Sequence, residues 1–286
     1  MNEETVMKEL LCDLHTHSTF SDGTLTPAEL IAASRDAGLA AVALTDHNTV
    51  AGLPAFLAAA EGAGVEAIAG VEISAVFSGG EMHIVGLGLP PAEFPRVTDF
   101  LAYYQRAKED STKNLVAALA AAGYRLDYGE IAAATEGLPN RAHVAAALTA
   151  HGYTASIQEA FDTLLGREHG FYREPERPTA ERAIALLHSV GAVAVLAHPF
   201  YDFTEEELCR YLDGEAKRPH RFDAMETRYS EYTEEEARAA HEIALRYGLR
   251  ESGGSDFHGD RKPGISLGRG RGTLAIPYDF WKELKK

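Results

Sequence analysis

Apolar residues along this chain fall into two alternating patterns. Short, nearly continuous apolar runs predict buried strands, and longer stretches with apolar residues at helical spacing predict amphipathic helices. Up to about residue 90 the two kinds alternate with short turns between them. ELLCDLHTH (9–17) predicts a strand. TPAELIAASRDAGL (26–39) predicts a helix, with Thr26 as N-cap, Pro27 at the first helical position and Gly38 just past the end. AAVALTDH (40–47) follows as a strand and TVAGLPAFLAAAEGAG (49–64) as a helix. EAIAGVEISAVF (66–77) and MHIVGLGL (82–89) are two further strands joined by a Gly-Gly turn. Such a strand–helix rhythm points to an α/β fold built on a parallel sheet or barrel.

Between Pro91 and Pro178 the pattern turns helical, in 99–124, 140–153 and 156–165, with no strand among them. The alternation then resumes. TAERAIALLHSVG (179–191), TEEELCRYL (204–212) and TEEEARAAHEIALRYG (233–248) predict helices, and AVAVLAHP (192–199), DAMETRYS (223–230) and LRESGGSDFHG (249–259) predict strands. Each TEEE is a capped helix start whose acidic first turn suits the helix dipole. The expected organisation is a barrel from residues 1–90 and 179–286, interrupted by a helical insertion over 91–178.

Composition narrows the class. The chain has 286 residues, 45% hydrophobic and 24% charged, and no run approaches the length of a membrane span. Its first residues are acidic rather than basic, with no apolar signal region after them, so a cytoplasmic location is expected. Cys12 and Cys209 lie far apart without a C-x-x-C partner, which suggests neither disulfide nor thiolate zinc site. The formal net charge of −16 argues against broad binding to a nucleic-acid backbone, although a local basic pocket can still hold one phosphate.

Reactive side chains gather at the predicted strand ends. A strand puts residues i and i+2 on one face, so His15 and His17 of DLHTHSTFSDG project together. Asp22 follows in the next turn; Asp46 and His47 end the second strand; Glu72 and His83 lie on the third and fourth. His198 closes LAHP, and Asp256 and His258 close the last strand. Strand C-termini in parallel α/β folds share one face, where active sites are built. An imidazole and carboxylate set without thiolate suits Mn, Zn or Fe, and exceeds what one tetrahedral ion can take, so two or three divalent metal ions are expected. Clustered metals of this kind activate water near neutral pH and clamp phosphoryl oxygens.

These motifs, DLHTHSTFSDG, TDHNTVAGL, GVEIS, HIVGLG, VLAHP and GGSDFHG, span residues 13–259 and resemble the PHP (polymerase and histidinol phosphatase) superfamily of metal-dependent phosphoesterases. The resemblance implies a distorted (βα)7 barrel with a trinuclear site at its strand ends. It implies that His15, His17, Glu72 and Asp256 hold one ion, with Glu72 bridging to a second held by His83 and His143. Asp22, His47 and His258 would hold a third, Asp22 standing where relatives with three metals often carry His. His143 falls in the insertion, which would then cap the pocket, and Arg141 beside it would hold substrate phosphate. His198 would be either a further ligand or the group that binds phosphate and protonates the leaving oxygen. The cations after Asp256, Arg261, Lys262, Arg269 and Arg271, offer an anionic contact, with Lys262 the substrate-binding candidate and Arg228 of METRYS another.

The expected function is a phosphoesterase in which a metal-bridging hydroxide attacks phosphorus of a small phosphorylated substrate, with His198 and Asp256 as catalytic residues. A nucleotide of the 3',5'-bisphosphate type leads, with cyclic phosphodiesterase and histidinol-phosphate phosphatase as rivals. A proofreading-type exonuclease or a non-catalytic regulatory module is the contrasting class; the full ligand set opposes the latter, and no extended nucleic acid is expected. An amidohydrolase barrel would carry a carboxylated Lys or single-His pattern that this chain lacks. The sequence leaves the oligomeric state open.

Overall fold

The computed structural model describes residues 10–77, 80–135 and 138–286, so the acidic N-terminus and part of the Gly-Gly turn lie outside the described residues. In chain order the elements are β1 (Leu11–Asp13), α1 (Pro27–Asp36), β2 (Ala41–Leu44), α2 (Leu53–Ala60), β3 (Glu66–Phe77), β4 (Gly80–Leu87) and the long α3 (Phe94–Ala121). Then come α4 (Tyr128–Ala133), α5 (Arg141–Ala150), α6 (Ile157–Ala160), α7 (Ala180–Ser189), β5 (Val193–Leu196), α8 (Glu205–Glu215) and β6 (Ala224–Tyr229). The chain ends with α9 (Glu234–Tyr247), β7 (Arg250–Gly254), β8 (Ile276–Pro277) and α10 (Tyr278–Leu284). It divides into two compact units, residues 1–98 with 178–286, and residues 99–177. No helix among the described residues is long and apolar enough to cross a membrane.

The first unit is an eight-stranded sheet in the order β7-β6-β5-β4-β3-β2-β1-β8, curled into a nearly closed barrel. Backbone bonds beyond the regular ladder tie its ends: Leu14 N–H donates to Gly253 O at 3.2 Å and Asp256 N–H to His15 O at 2.9 Å. Strand β1 is shorter than its apolar run predicts. Beyond Asp13 the chain stays extended, with Thr16 bridging Phe257, so His15 and His17 lie just past the strand. The sequence pattern does not predict β8, which pairs antiparallel with β1.

Alternate strand residues fill the barrel interior. Cys12, Leu14, Ala43, Val85, Val195 and Ala197 are fully buried there, and Trp281 and Leu284 of α10 join the same core cluster. Burying a side chain such as Leu14 contributes about 1.5–3 kcal/mol. Trp281 is oriented by its indole N–H, which donates to Glu66 Oε1 at 2.8 Å. Helices on the outside start where the sequence says they should: Thr26, Thr204 and Thr233 form capping boxes with Glu29, Glu207 and Glu236.

Most neighbouring strands run parallel, but β4 is antiparallel to both β3 and β5. That reversal matters for the site. It brings the start of β4, where His83 lies opposite Ser74, to the end of the sheet where its parallel neighbours finish. The second unit is helical, with its own core of Leu115, Leu119, Val144, Leu148, Ala160 and Leu165.

Candidate metal centre

Strand termini of the barrel deliver a dense set of ionisable side chains. His15 and His17 follow β1, His47 follows β2, Glu72 sits in β3, His83 in β4, and His198, Asp256 and His258 lie beyond β5 and β7. Among the described residues three groups of donor atoms result, each with all its atoms within 4.8 Å of one another: His15, His17, Glu72 and Asp256; His17, Asp22, His47 and His258; and His47, Glu72 and His83. Glu72 is the hub. Its Oε2 lies 3.2 Å from His15 Nε2, 3.2 Å from His17 Nε2 and 3.0 Å from His47 Nδ1, while Oε1 lies 2.8 Å from His83 Nδ1 and 3.2 Å from His198 Nε2. Asp256 Oδ1 stands 3.1 Å from His17 Nε2 and 3.7 Å from His15 Nε2. Asp22 reaches His258 Nε2 at 3.3 Å and His47 Nε2 at 3.8 Å.

This donor set fits divalent metal. His15 Nε2, His17 Nε2, Glu72 Oε2 and His83 Nδ1 are buried and make no hydrogen bond, despite their short separations. Buried polar atoms normally find partners. Donor atoms that crowd together without bonding one another, in an all-imidazole and carboxylate set, are disposed to share ions instead. His47 presents one ring nitrogen to Glu72 and the other to Asp22; a neutral imidazole has one lone pair, so it serves one ion or the other.

Electrostatics of the site follow from that crowding. Burial alone would lower the pKa of His15, but Glu72, Glu226 and Asp256 raise it well above the usual range. For His47 burial is likewise outweighed, here by Glu72 and Asp22, and its pKa rises to about 9. Glu72 and Asp256 are held well below the usual carboxylate range: burial opposes this, and the surrounding histidines overcome it. Burial would lower the pKa of His198 too, yet its hydrogen bond with Glu72 leaves it raised.

Backbone strain marks the same place. His198, Asp256 and Asn48 are the described non-glycine residues with positive φ, at 25°, 52° and 52°. Left-handed conformations of this sort are costly and gather at functional sites.

Several buried residues to which the sequence reading gave no ligand role support the candidate ligands. Glu226, fully buried in β6, faces His15 Nδ1 at 2.9 Å and accepts the His198 N–H at 2.7 Å. Asp13 accepts Ser255 N–H at 2.8 Å and Gly268 N–H at 2.7 Å, joining β1 to two distant segments. Asp46 accepts from Ser18 N–H at 2.8 Å and Ser21 Oγ at 2.6 Å, fixing the loop between His17 and Asp22. Tyr229 O–H donates to Asp256 Oδ2 at 2.8 Å, and Lys262 Nζ contacts the same oxygen.

Arg228 is not brought to this cluster. A β-bulge between Glu226 and Arg228 breaks the strand's alternation, so Tyr229 takes the inward position. The Arg228 guanidinium bonds Ala275 O and lies 5.4 Å from the Phe280 ring centre. His143 and Arg141 belong to the second unit. There His143 Nδ1 accepts the Asn140 N–H at 3.1 Å as part of a helix cap, and Arg141 lies 4.0 Å from the centre of the Tyr172 ring.

The sequence profile of the PHP domain matches residues 13–234, and the chain belongs to that family. It is a phosphoric ester hydrolase of the metal-dependent PHP class. The 5'-3' exoribonuclease Rnm of Salmonella typhimurium is 36% identical over 91% of this chain and 89% of its own length. A 3',5'-nucleoside bisphosphate phosphatase of Chromobacterium violaceum is 31% identical over 96% of each chain. Among solved structures, a Chromobacterium violaceum protein described as an amidohydrolase with bound sulfate superposes with a TM-score of 0.71 and 30% identity, covering 96% of this chain and 95% of that one.

Proposed function

We propose that this hydrolase cleaves the phosphoryl group from the 3'-oxygen of a nucleotide that also carries a 5'-phosphate, with a nucleoside 3',5'-bisphosphate as substrate. The observation that carries the reading is the hub at Glu72, around which imidazoles and carboxylates converge with buried atoms left unbonded. His15, His17, Glu72 and Asp256 would hold one divalent ion, Asp22, His47 and His258 another, and Glu72 with His83 a further one. Bound there, such ions supply an acidified water and neutralise charge on phosphoryl oxygens. Asp256 keeps Oδ1 toward His15 and His17, while Tyr229 and Lys262 occupy its other oxygen and fix its orientation. His198, beside Glu72, is the donor for the leaving 3'-oxygen, and Lys262 supplies positive charge for the departing phosphate.

Two exposed aromatics favour a nucleotide over a plain phosphomonoester. Phe20 is 46% exposed in the loop between His17 and Asp22, and Tyr201 is 72% exposed three residues after His198, its ring 5.7 Å from that imidazole. Aromatic faces of this kind stack bases.

A second reading, a 5'-3' exoribonuclease, is favoured by the 36% identity to the Salmonella enzyme. The chemistry is shared. Releasing a 5'-mononucleotide from an RNA 5' end also expels the 3'-oxygen of a 5'-phosphorylated nucleotide. The formal charge of −16 argues for the small substrate, because holding a longer strand takes several cations. The test is product analysis with manganese-loaded protein on a nucleoside 3',5'-bisphosphate, a 3'-monophosphate, a 5'-monophosphate and a 5'-phosphorylated oligoribonucleotide. Expected is a kcat/KM highest on the bisphosphate, yielding the 5'-monophosphate. Faster turnover of the oligoribonucleotide selects the second reading, and preference for 5'-monophosphate or sugar phosphate overturns both.

A further inference from the structure

We infer that Glu226 is a positioning residue for the metal centre, a single carboxylate that fixes the tautomer of His15 and pins the backbone of His198. Glu226 is fully buried and belongs to none of the three donor groups. Its two oxygens are divided between two site residues: Oε1 is 2.9 Å from His15 Nδ1 and Oε2 accepts the His198 N–H at 2.7 Å.

Each contact does something specific. A carboxylate accepts and does not donate, so a neutral His15 must carry its proton on Nδ1. That leaves the lone pair on Nε2, the atom 3.2 Å from Glu72 and 3.7 Å from Asp256, which is buried and otherwise unbonded. The opposite tautomer would aim an N–H into the donor group and remove His15 as a ligand. At the other oxygen, the bond holds His198 at φ 25° and ψ 56°, a conformation that a residue with a Cβ keeps only when its surroundings force it. The imidazole then reaches Glu72 Oε1 at 3.2 Å. Buried partners that orient metal-binding histidines in this way are worth 10–100-fold in metal affinity or activity.

The inference rests on the proposed metal centre, and its test separates the two. Glu226→Gln keeps the size but offers one acceptor oxygen and an amide donor, so it cannot serve both contacts. Manganese affinity is measured by calorimetry for wild type, Glu226→Gln and Glu226→Asp, and the His15 tautomer by long-range proton–nitrogen NMR of the same histidine-labelled proteins loaded with diamagnetic zinc, where the imidazole is neutral. Expected for Glu226→Gln is a 10–100-fold weaker affinity with His15 shifted from the Nδ1–H form, and partial recovery of both in Glu226→Asp. A variant that melts earlier yet keeps wild-type affinity and tautomer overturns the positioning role. Wild-type protein that takes up no manganese overturns the metal centre itself.

Discussion

Gly254→Ala probes the closure of the barrel beside His15, its first candidate ligand. A Cβ built on Gly254, at the end of β7, would lie 2.1 Å from His15 Cβ, 2.7 Å from His15 N and 2.8 Å from His15 Cα. Two of these obstacles are backbone atoms, which no rotamer change can move. The neighbouring bonds, Leu14 N–H to Gly253 O and Asp256 N–H to His15 O, hold the segments in register, so the methyl group must part them by about 1 Å. Overpacking of this kind costs about 1–3 kcal/mol. For a domain of this size that is a fall of roughly 3–10 °C in Tm. Displacing the His15 ring by a similar distance costs on the order of 10²-fold in kcat/KM. Thermal melts with and without manganese, with phosphate-release kinetics, measure both. Gly214→Ala is the control: nothing lies within 4 Å of its Cβ position in α8, and it should raise Tm slightly with activity unchanged. A Gly254→Ala protein melting within about 1 °C of wild type, with kcat/KM within about twofold, would refute the packing argument.

Removing Asp13 as Asp13→Ala strips the acceptor from the Ser255 and Gly268 N–H groups, and the urea midpoint should fall by an amount equivalent to roughly 2–4 kcal/mol; a change below about 0.5 kcal/mol would contradict this. Glu215, in α8, is buried and its carboxyl is pushed up to about 7 by that burial, with Arg218 only partly offsetting it. Its folded pKa lies above the unfolded one, so its contribution is complete below the ordinary glutamate pKa and is lost as pH rises through about 7. Glu215→Gln should therefore gain roughly 1–3 kcal/mol over wild type near pH 8 and lose that advantage near pH 4, in urea titrations at both pH values. Metal must displace the proton that His47 holds below a pH of about 9, so calorimetric affinity should rise with pH by up to about tenfold per unit per displaced proton; a flat profile would refute the assignment of His47.

The barrel was legible because each strand is an apolar run ending in a turn, and the candidate ligands were legible because His, Asp and Glu interrupt those runs at their ends. What escaped has physical reasons. Strand β8 is only Ile276 and Pro277, too short to show any alternation. The Gly-Gly turn between β3 and β4 already implies that β4 reverses; what the strand-end argument omits is that His83 therefore faces the site from the start of its strand rather than its end. At β6 strict alternation puts Arg228 on the same face as Glu226, and the bulge hands that place to Tyr229, a shift that composition does not announce. Glu226 carried a usable signal: a lone carboxylate inside a strand whose residues from Ala224 to Thr227 are all buried has to be paired with something. Asp13 carried the same signal between Cys12 and Leu14.

Glu72 tests the central claim most directly, because it belongs to two of the three donor groups and contacts five imidazoles. The measurement is phosphate release from a nucleoside 3',5'-bisphosphate by wild type and Glu72→Gln, each after chelation and again after manganese is restored. The account predicts that chelation abolishes wild-type turnover, that manganese restores it, and that Glu72→Gln stays on the order of 10³-fold slower with metal present. Full turnover by chelated wild type, or a Glu72→Gln enzyme within about tenfold of it, would contradict the account.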